Sequence, residues 1–173
     1  MSILVVSSSL DPKSRSRVLA RRALARLQQC GTPAAYLDLQ ETPLPFCDAG
    51  AAYGDPNVRK ATELVRAAQG IVLAAPIYTY DVGAAAKNLV ELTGKQWEGK
   101  VVSFLCAAGG ASSYMSVMGL ANSLMLDFRC LIVPRFVYAT ADSFADGELR
   151  DAKVEERVVQ LADETVRLVA ALA

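Results

Sequence analysis

Three short stretches, Ile3-Leu4-Val5-Val6, Ile71-Val72-Leu73-Ala74-Ala75 and Lys100–Cys106, are apolar at nearly every position rather than at alternate ones. A strand of that kind must be covered on both faces, and a sheet built from such strands is parallel with helices on each side. Between the strands the period changes to that of a helix. From Arg17 to Gln29, Leu19, Ala23 and Leu27 recur with Ala20 and Leu24 beside them, Arg21, Arg22 and Arg26 take the outside, and Gly31 ends the run. Helical patterns also cover about Asn57–Gln69, Ala84–Thr93, Ser113–Leu126 and Asp151–Ala171, the last with Val154, Val158, Leu161, Thr165, Leu168 and Leu172 on one stripe. Further strands are expected at about Ala34–Leu39 and Leu131–Tyr138, and Pro76 is expected to stop the strand that begins at Ile71.

Five strands alternating with five helices predict a three-layer α/β fold, a doubly wound five-stranded parallel sheet with the flavodoxin-like strand order 2-1-3-4-5. A length of 173 residues suits a single domain, taken as residues 1–173, with no internal repeat or linker. In open sheets of this kind ligands sit outside the carboxyl ends of the strands, near the switch point. The loops after the first, third and fourth strands are therefore the candidate site. The stretch Gln40–Pro56 has no clear period and is long enough to act as a lid or an interface segment.

Composition removes several function classes. The chain has no histidine, so Ser-His-Asp and Cys-His mechanisms are excluded and the commonest ligand of zinc, copper and iron is missing; no metal site is expected. Eighteen basic residues balance eighteen acidic ones, which leaves no global field to attract nucleic acid or anionic lipid. Cys30, Cys47, Cys106 and Cys130 form no C-x-x-C pair, and the N-terminus lacks a basic region before its apolar run, so a reducing, cytoplasmic setting is expected. From Val101 to Leu126 no residue is charged, and the helical part carries Met115, Met118 and Met125. Gly109, Gly110, Ser112, Ser113 and Ser116 interrupt that run, which favours a helix face needing a partner over a membrane span.

The first candidate loop offers hydroxyls at Ser7, Ser8, Ser9, Ser14 and Ser16, cations at Arg15 and Arg17, and the start of a helix. Unpaired helix N–H groups with several donors suit a phosphate monoester; the same serines would also serve as an ordinary N-cap. Neither G-x-x-x-x-G-K-[ST] nor G-x-G-x-x-G is present, so a nucleoside-triphosphate loop and a dinucleotide fingerprint are both absent. A cysteine phosphatase would need an arginine six places after its nucleophile, where Cys106 has Ser112 and Cys130 has Phe136. The second loop, Pro76 to Tyr80, presents Tyr78 and Tyr80, either to a flat ligand or as caps on the core. In the third loop Gly109 and Gly110 permit close backbone approach.

With these loops in order, the chain resembles the NADPH-dependent FMN reductase family over nearly its whole length. Ser8-Ser9-Leu10-Asp11-Pro12-Lys13-Ser14-Arg15-Ser16 is similar to the family loop G-S-L-R-x-x-S-x-N, with Asp11 in place of the arginine. The resemblance implies that Ser9, Ser14 and Ser16 carry the FMN phosphate, with Arg15 nearby. Pro76-Ile77-Tyr78, Lys87-Asn88 and Glu91 resemble P-x-Y-N…G-x-L-K-N-x-x-D, which implies that Pro76, Ile77, Tyr78 and Thr79 border the isoalloxazine. Thr79 replaces the family asparagine and Gly83 its proline. Ala108-Gly109-Gly110-Ala111 is similar to the family's third loop, expected at the pyrimidine edge. Hydride transfer from NADPH or NADH to FMN, then reduction of a quinone, azo compound, free flavin or similar small acceptor, is the implied activity. It needs no catalytic side chain, and a homodimer or homotetramer is implied as well. A one-electron carrier like flavodoxin and a flavin-free binding or scaffold protein are the rival readings; flavodoxin-type carriers are usually acidic, whereas this chain is neutral.

Overall fold

The apolar runs become the middle of one sheet in the computed structural model, which describes residues 1–172. Its strands are β1 (Ile3–Ser7), β2 (Ala34–Asp38), β3 (Gly70–Tyr78), β4 (Asp81–Val82), β5 (Val101–Ala107), β6 (Leu131–Ile132) and β7 (Val137–Ala139). They lie in the order β2-β1-β3-β5, with β6 and β7 in succession along the far side of β5. All pairings are parallel except the short antiparallel contact of β4 with β3. A separate hairpin joins β8 (Phe144–Ala145) to β9 (Glu148–Leu149). The helices are α1 (Arg15–Gln29), α2 (Pro56–Ala67), α3 (Ala84–Thr93), α4 (Met118–Phe128) and α5 (Ala152–Ala171).

Alternate side chains of each strand enter opposite layers, as the pleat requires. Leu4, Val6, Ile71, Leu73, Val102 and Phe104 pack with Val65 of α2, Leu89 of α3, Leu124 of α4 and the fully buried Trp97. Ile3, Val5, Val72 and Leu105 pack on the other side with Leu19 and Leu27 of α1 and Val158 and Leu161 of α5. The helix starts follow ordinary capping chemistry: Ser14 caps α1, Asp55 caps α2 ahead of Pro56, and Asp151 caps α5.

Three expectations need correction. The third strand does not stop at Pro76: Pro76 is still in register with Ala107, and β3 runs to Tyr78. The proline is tolerated because β1 has already ended opposite Ala74, so its missing N–H costs no bond to β1. Thr79 and Tyr80 then turn the chain with φ of 51° and 62°, left-handed values that cost a β-branched threonine more than the asparagine of the resembled motif. The expected fifth strand is split into β6 and β7 by Pro134 and by Arg135, whose φ is 60°, and the short β4 is added beside β3, so the sheet has seven strands instead of five. Finally, the fourth helix begins at Met118, not Ser113. Ala111–Ser113 form a single 3₁₀ turn, and the Ser116 hydroxyl donates to the Ser113 carbonyl at 2.7 Å, one of the local side-chain bonds through which serine competes with helix.

Burial separates the four thiols. Cys106 lies fully buried in β5 and is pushed up to about 12, and Cys130 is pushed up to about 11, in both cases by loss of solvation. At pH 8 both are protonated and covered, whereas Cys30 is exposed and Cys47 half-buried. Iodoacetamide is expected to label Cys30 and Cys47 in the native protein and all four thiols in denaturant, read by peptide mass. Native labelling of Cys106 would contradict this packing.

Candidate functional site

The carboxyl ends of β1, β3 and β5 open into a cleft of about 340 Å³, within the usual range for small-ligand sites. Its two ends differ in chemistry. Ser9, Ser14, Arg15 and Ser16 line one end, and Pro76, Ile77, Tyr78, Ala108 and Gly109 line the other. Nine of the twelve residues chosen from the sequence therefore meet in one place. Thr79, Gly110 and Ala111 do not line the cleft: Thr79 sits at the hairpin tip, Gly110 has its carbonyl held by the Tyr138 hydroxyl at 2.8 Å, and Ala111 begins the 3₁₀ turn.

The polar end is built by a chain of short-range bonds. The backbone N–H and hydroxyl of Ser8 both donate to the Ala74 carbonyl, at 2.9 and 3.0 Å, which fastens the loop exit to β3. Ser9 Oγ accepts from the Asp11 N–H at 3.3 Å, and the Ser14 N–H donates to the Asp11 carbonyl at 3.2 Å. Ser14 Oγ accepts the Arg17 N–H at 3.1 Å and shares a hydrogen bond with Ser16 Oγ at 2.9 Å. Arg15 and Ser16, the first residues of α1, line the cleft, so the start of that helix with its positive dipole end borders it.

Two charged residues of this loop were not assigned to the cleft by sequence reasoning. Asp11 carries the charge that repels a phosphate, yet its Oδ1 accepts the Lys13 N–H at 2.8 Å, so the carboxylate caps its own turn. Lys13 lines the cleft next to Arg15, both are exposed, and among the described residues neither forms an ion pair. Its place inside the quoted serine loop was the available signal. Arg15 also stands over the Phe144 ring, 6.0 Å from its centre.

Arg17 corrects the sequence reading in the other direction. Expected as a cationic donor to the phosphate, it turns inward instead: its Nε donates to Asp38 at 2.6 Å and its side chain is 7% exposed. The bond to Asp38 holds the guanidinium above its ordinary value, against the opposing effect of burial. Burial and the Asp38 charge likewise push the Tyr36 phenol up.

The apolar end is fixed by the sheet. The Gly83 N–H donates to the Pro76 carbonyl at 2.8 Å, a bond that the proline of the resembled motif could not make. The Ala108 N–H donates to the Ala139 carbonyl at 2.9 Å. Gly109 lines the cleft, and a Cβ built on it would meet no protein atom within 4 Å, so the space beside that backbone is open. Asn88, noted in the sequence only as part of a motif, pins the long stretch Gln40–Pro56: its Oδ1 accepts the Cys47 N–H and its Nδ2 donates to the Pro45 carbonyl, both at 2.9 Å. Lys87 and Glu91 pair on the outer face of α3 at 2.6 Å.

A serine-lined helix start, a proline-tyrosine strand end and a glycine loop now stand around one cleft, and the family model of NADPH-dependent FMN reductases matches residues 1–145. The chain belongs to that family. An NAD(P)H-dependent FAD/FMN reductase of Geobacillus thermodenitrificans is 34% identical over 136 residues, covering 76% of this chain and 73% of the relative. An NADPH azoreductase of Bacillus sp. (strain OY1-2) is 26% identical over 156 residues, covering 88% and 85% of the two chains. Among solved structures, FerB, a flavoenzyme NAD(P)H:(acceptor) oxidoreductase from Paracoccus denitrificans, superposes with a TM-score of 0.79 at 16% identity, covering 98% of this chain and 97% of that one. That structural likeness carries the flavodoxin-like fold. As a member of the FMN reductase family, the chain keeps its three cleft loops within the matched residues. Among the described residues no helix is long and apolar enough to cross a membrane.

Proposed function

We propose that this reductase holds FMN in the cleft, acting as one flavin-binding domain over residues 1–173, and moves electrons from NADPH or NADH to a small acceptor such as a quinone, an azo compound or free flavin. The two-ended cleft supports this most directly. A phosphate needs compact donors at one end and a flat ring needs apolar walls at the other, and the cleft offers that combination. When bound, FMN supplies the redox chemistry, taking hydride from the reduced nicotinamide and passing electrons to the acceptor.

The protein's part is to bind and orient. Ser9, Ser14 and Ser16 hydroxyls and the first N–H groups of α1 hold the phosphate, with Arg15 and Lys13 adding charge at the rim. Pro76, Ile77 and Tyr78 border one side of the ring system and Ala108 and Gly109 the other, where the missing Cβ leaves room for close approach. No side chain has to exchange a proton with the substrate, which agrees with a chain that has no histidine.

The exposed Met115, Met118 and Leu126 on and before α4 support contact between copies, a homodimer or homotetramer, and the unpaired cysteines suit a cytoplasmic setting. Light scattering at the monomer mass would contradict the assembly. For the activity, the FMN-loaded protein is expected to bleach on adding NADPH or NADH without oxygen, and to recover its colour on adding a quinone. Bound FMN that stays oxidised would instead indicate a carrier, and failure to bind any flavin would leave a scaffold protein.

A further inference from the structure

The inward turn of Arg17 places a buried ion pair directly beneath the loop that carries the serines. Asp38 stands at the end of β2, in register with Ser7, and its side chain is only 1% exposed. The Arg17 guanidinium donates to both of its oxygens, Nε to Oδ2 at 2.6 Å and Nη2 to Oδ1 at 3.2 Å. The remaining capacity of the carboxylate is taken by the Tyr36 hydroxyl at 3.2 Å and the Gln40 N–H at 3.0 Å. The orientation of the guanidinium is therefore fixed from the β2 side.

On the loop side the same group donates to two backbone carbonyls. Nη1 reaches the Asp11 carbonyl at 2.6 Å and Nη2 the Ser9 carbonyl at 3.1 Å, while the Arg17 backbone N–H donates to Ser14 Oγ. One residue thus grips the loop at Ser9, Asp11 and Ser14, and it does so from outside the cleft.

We propose that Arg17 and Asp38 are positioning residues for the phosphate end of the cleft, acting through the carbonyls of Ser9 and Asp11 to set where the serine hydroxyls stand. The proposal rests on the reading that this end takes the FMN phosphate. Only a planar fork of several donors can hold a carboxylate and two carbonyls together, so lysine, a point charge on a flexible stem, is not an adequate substitute. A small shift of the loop would misalign several hydroxyls at once, and a compact phosphate would sense that far more than a flat ring resting on the other end.

The test compares FMN with riboflavin, which lacks the phosphate, by flavin fluorescence titration of the native protein, Arg17→Lys and the double variant Arg17→Met/Asp38→Leu. The double variant leaves no buried charge unpaired, so a thermal melt checks that it is folded before flavin is added. The expected result is at least about a tenfold loss of FMN affinity in both variants, with less than about a threefold change for riboflavin. A folded double variant that keeps the native preference for FMN would overturn the proposal and leave the pair a purely structural contact. A parallel fall for both flavins would also overturn it, as general loosening of the site. Equal affinities already in the native protein would overturn the phosphate reading itself, a failure visible before any variant is made.

Discussion

Arg17→Met alone is expected to destabilise the protein by about 3–5 kcal/mol, the cost of leaving a buried carboxylate without its partner. Asp38 is 1% exposed at its side chain, so water cannot take over the role of the guanidinium. The Ser9 and Asp11 carbonyls lose their donors at the same time. In the double variant Arg17→Met/Asp38→Leu the unpaired charge is gone, and most of the loss should be recovered. A double-mutant cycle by urea unfolding should therefore give a coupling of at least about 2 kcal/mol. For a chain of this size the single variant should melt roughly 10 °C below the native protein. If the two single variants and the double gave simply additive effects, the ion pair would not be acting as one unit.

Ser14→Ala is the second substitution with a large expected effect, because one hydroxyl serves the fold and the proposed ligand together. As the N-cap of α1 it accepts the Arg17 N–H at 3.1 Å, and loss of such a cap costs about 1 kcal/mol. It also shares a hydrogen bond with Ser16 at 2.9 Å, so its removal frees the neighbouring hydroxyl to rotate. A hydrogen bond to a charged group contributes about 1.5–3 kcal/mol, so FMN affinity should fall by roughly 10- to 100-fold while riboflavin affinity is nearly unchanged. The two effects separate experimentally: a melt reads the cap and a paired titration reads the phosphate. An equal loss for both flavins would mean that Ser14 acts on the helix alone.

Much of this architecture is legible in the sequence where a residue's neighbours along the chain decide its fate. The runs at β1, β3 and β5 have no polar alternation, and that alone demands cover on both faces. The serine loop, the proline-tyrosine strand end and the glycine loop could be ordered around one cleft because strand ends in a parallel sheet gather at one edge. What stayed hidden depends on contacts across the chain. Pro76 reads as a stop until it is known that β1 ends two residues earlier on the side its missing N–H faces. Ser113–Val117 reads as helix by its apolar content, although the Ser116 hydroxyl is spent on a local turn. Arg17 reads as a cationic donor to a phosphate at the start of an amphipathic helix. Only the register of β2 against β1, which sets Asp38 beside Ser7, explains why it turns inward.

The central claim is that the serine end of the cleft holds a phosphate and the strand-end aromatic wall holds a flat ring. Paired titration of the native protein with FMN and riboflavin tests it most directly, since the two ligands differ by the phosphate alone. At least about a tenfold preference for FMN, equivalent to about 1.4 kcal/mol, is the predicted result. Equal affinity for both flavins would contradict it.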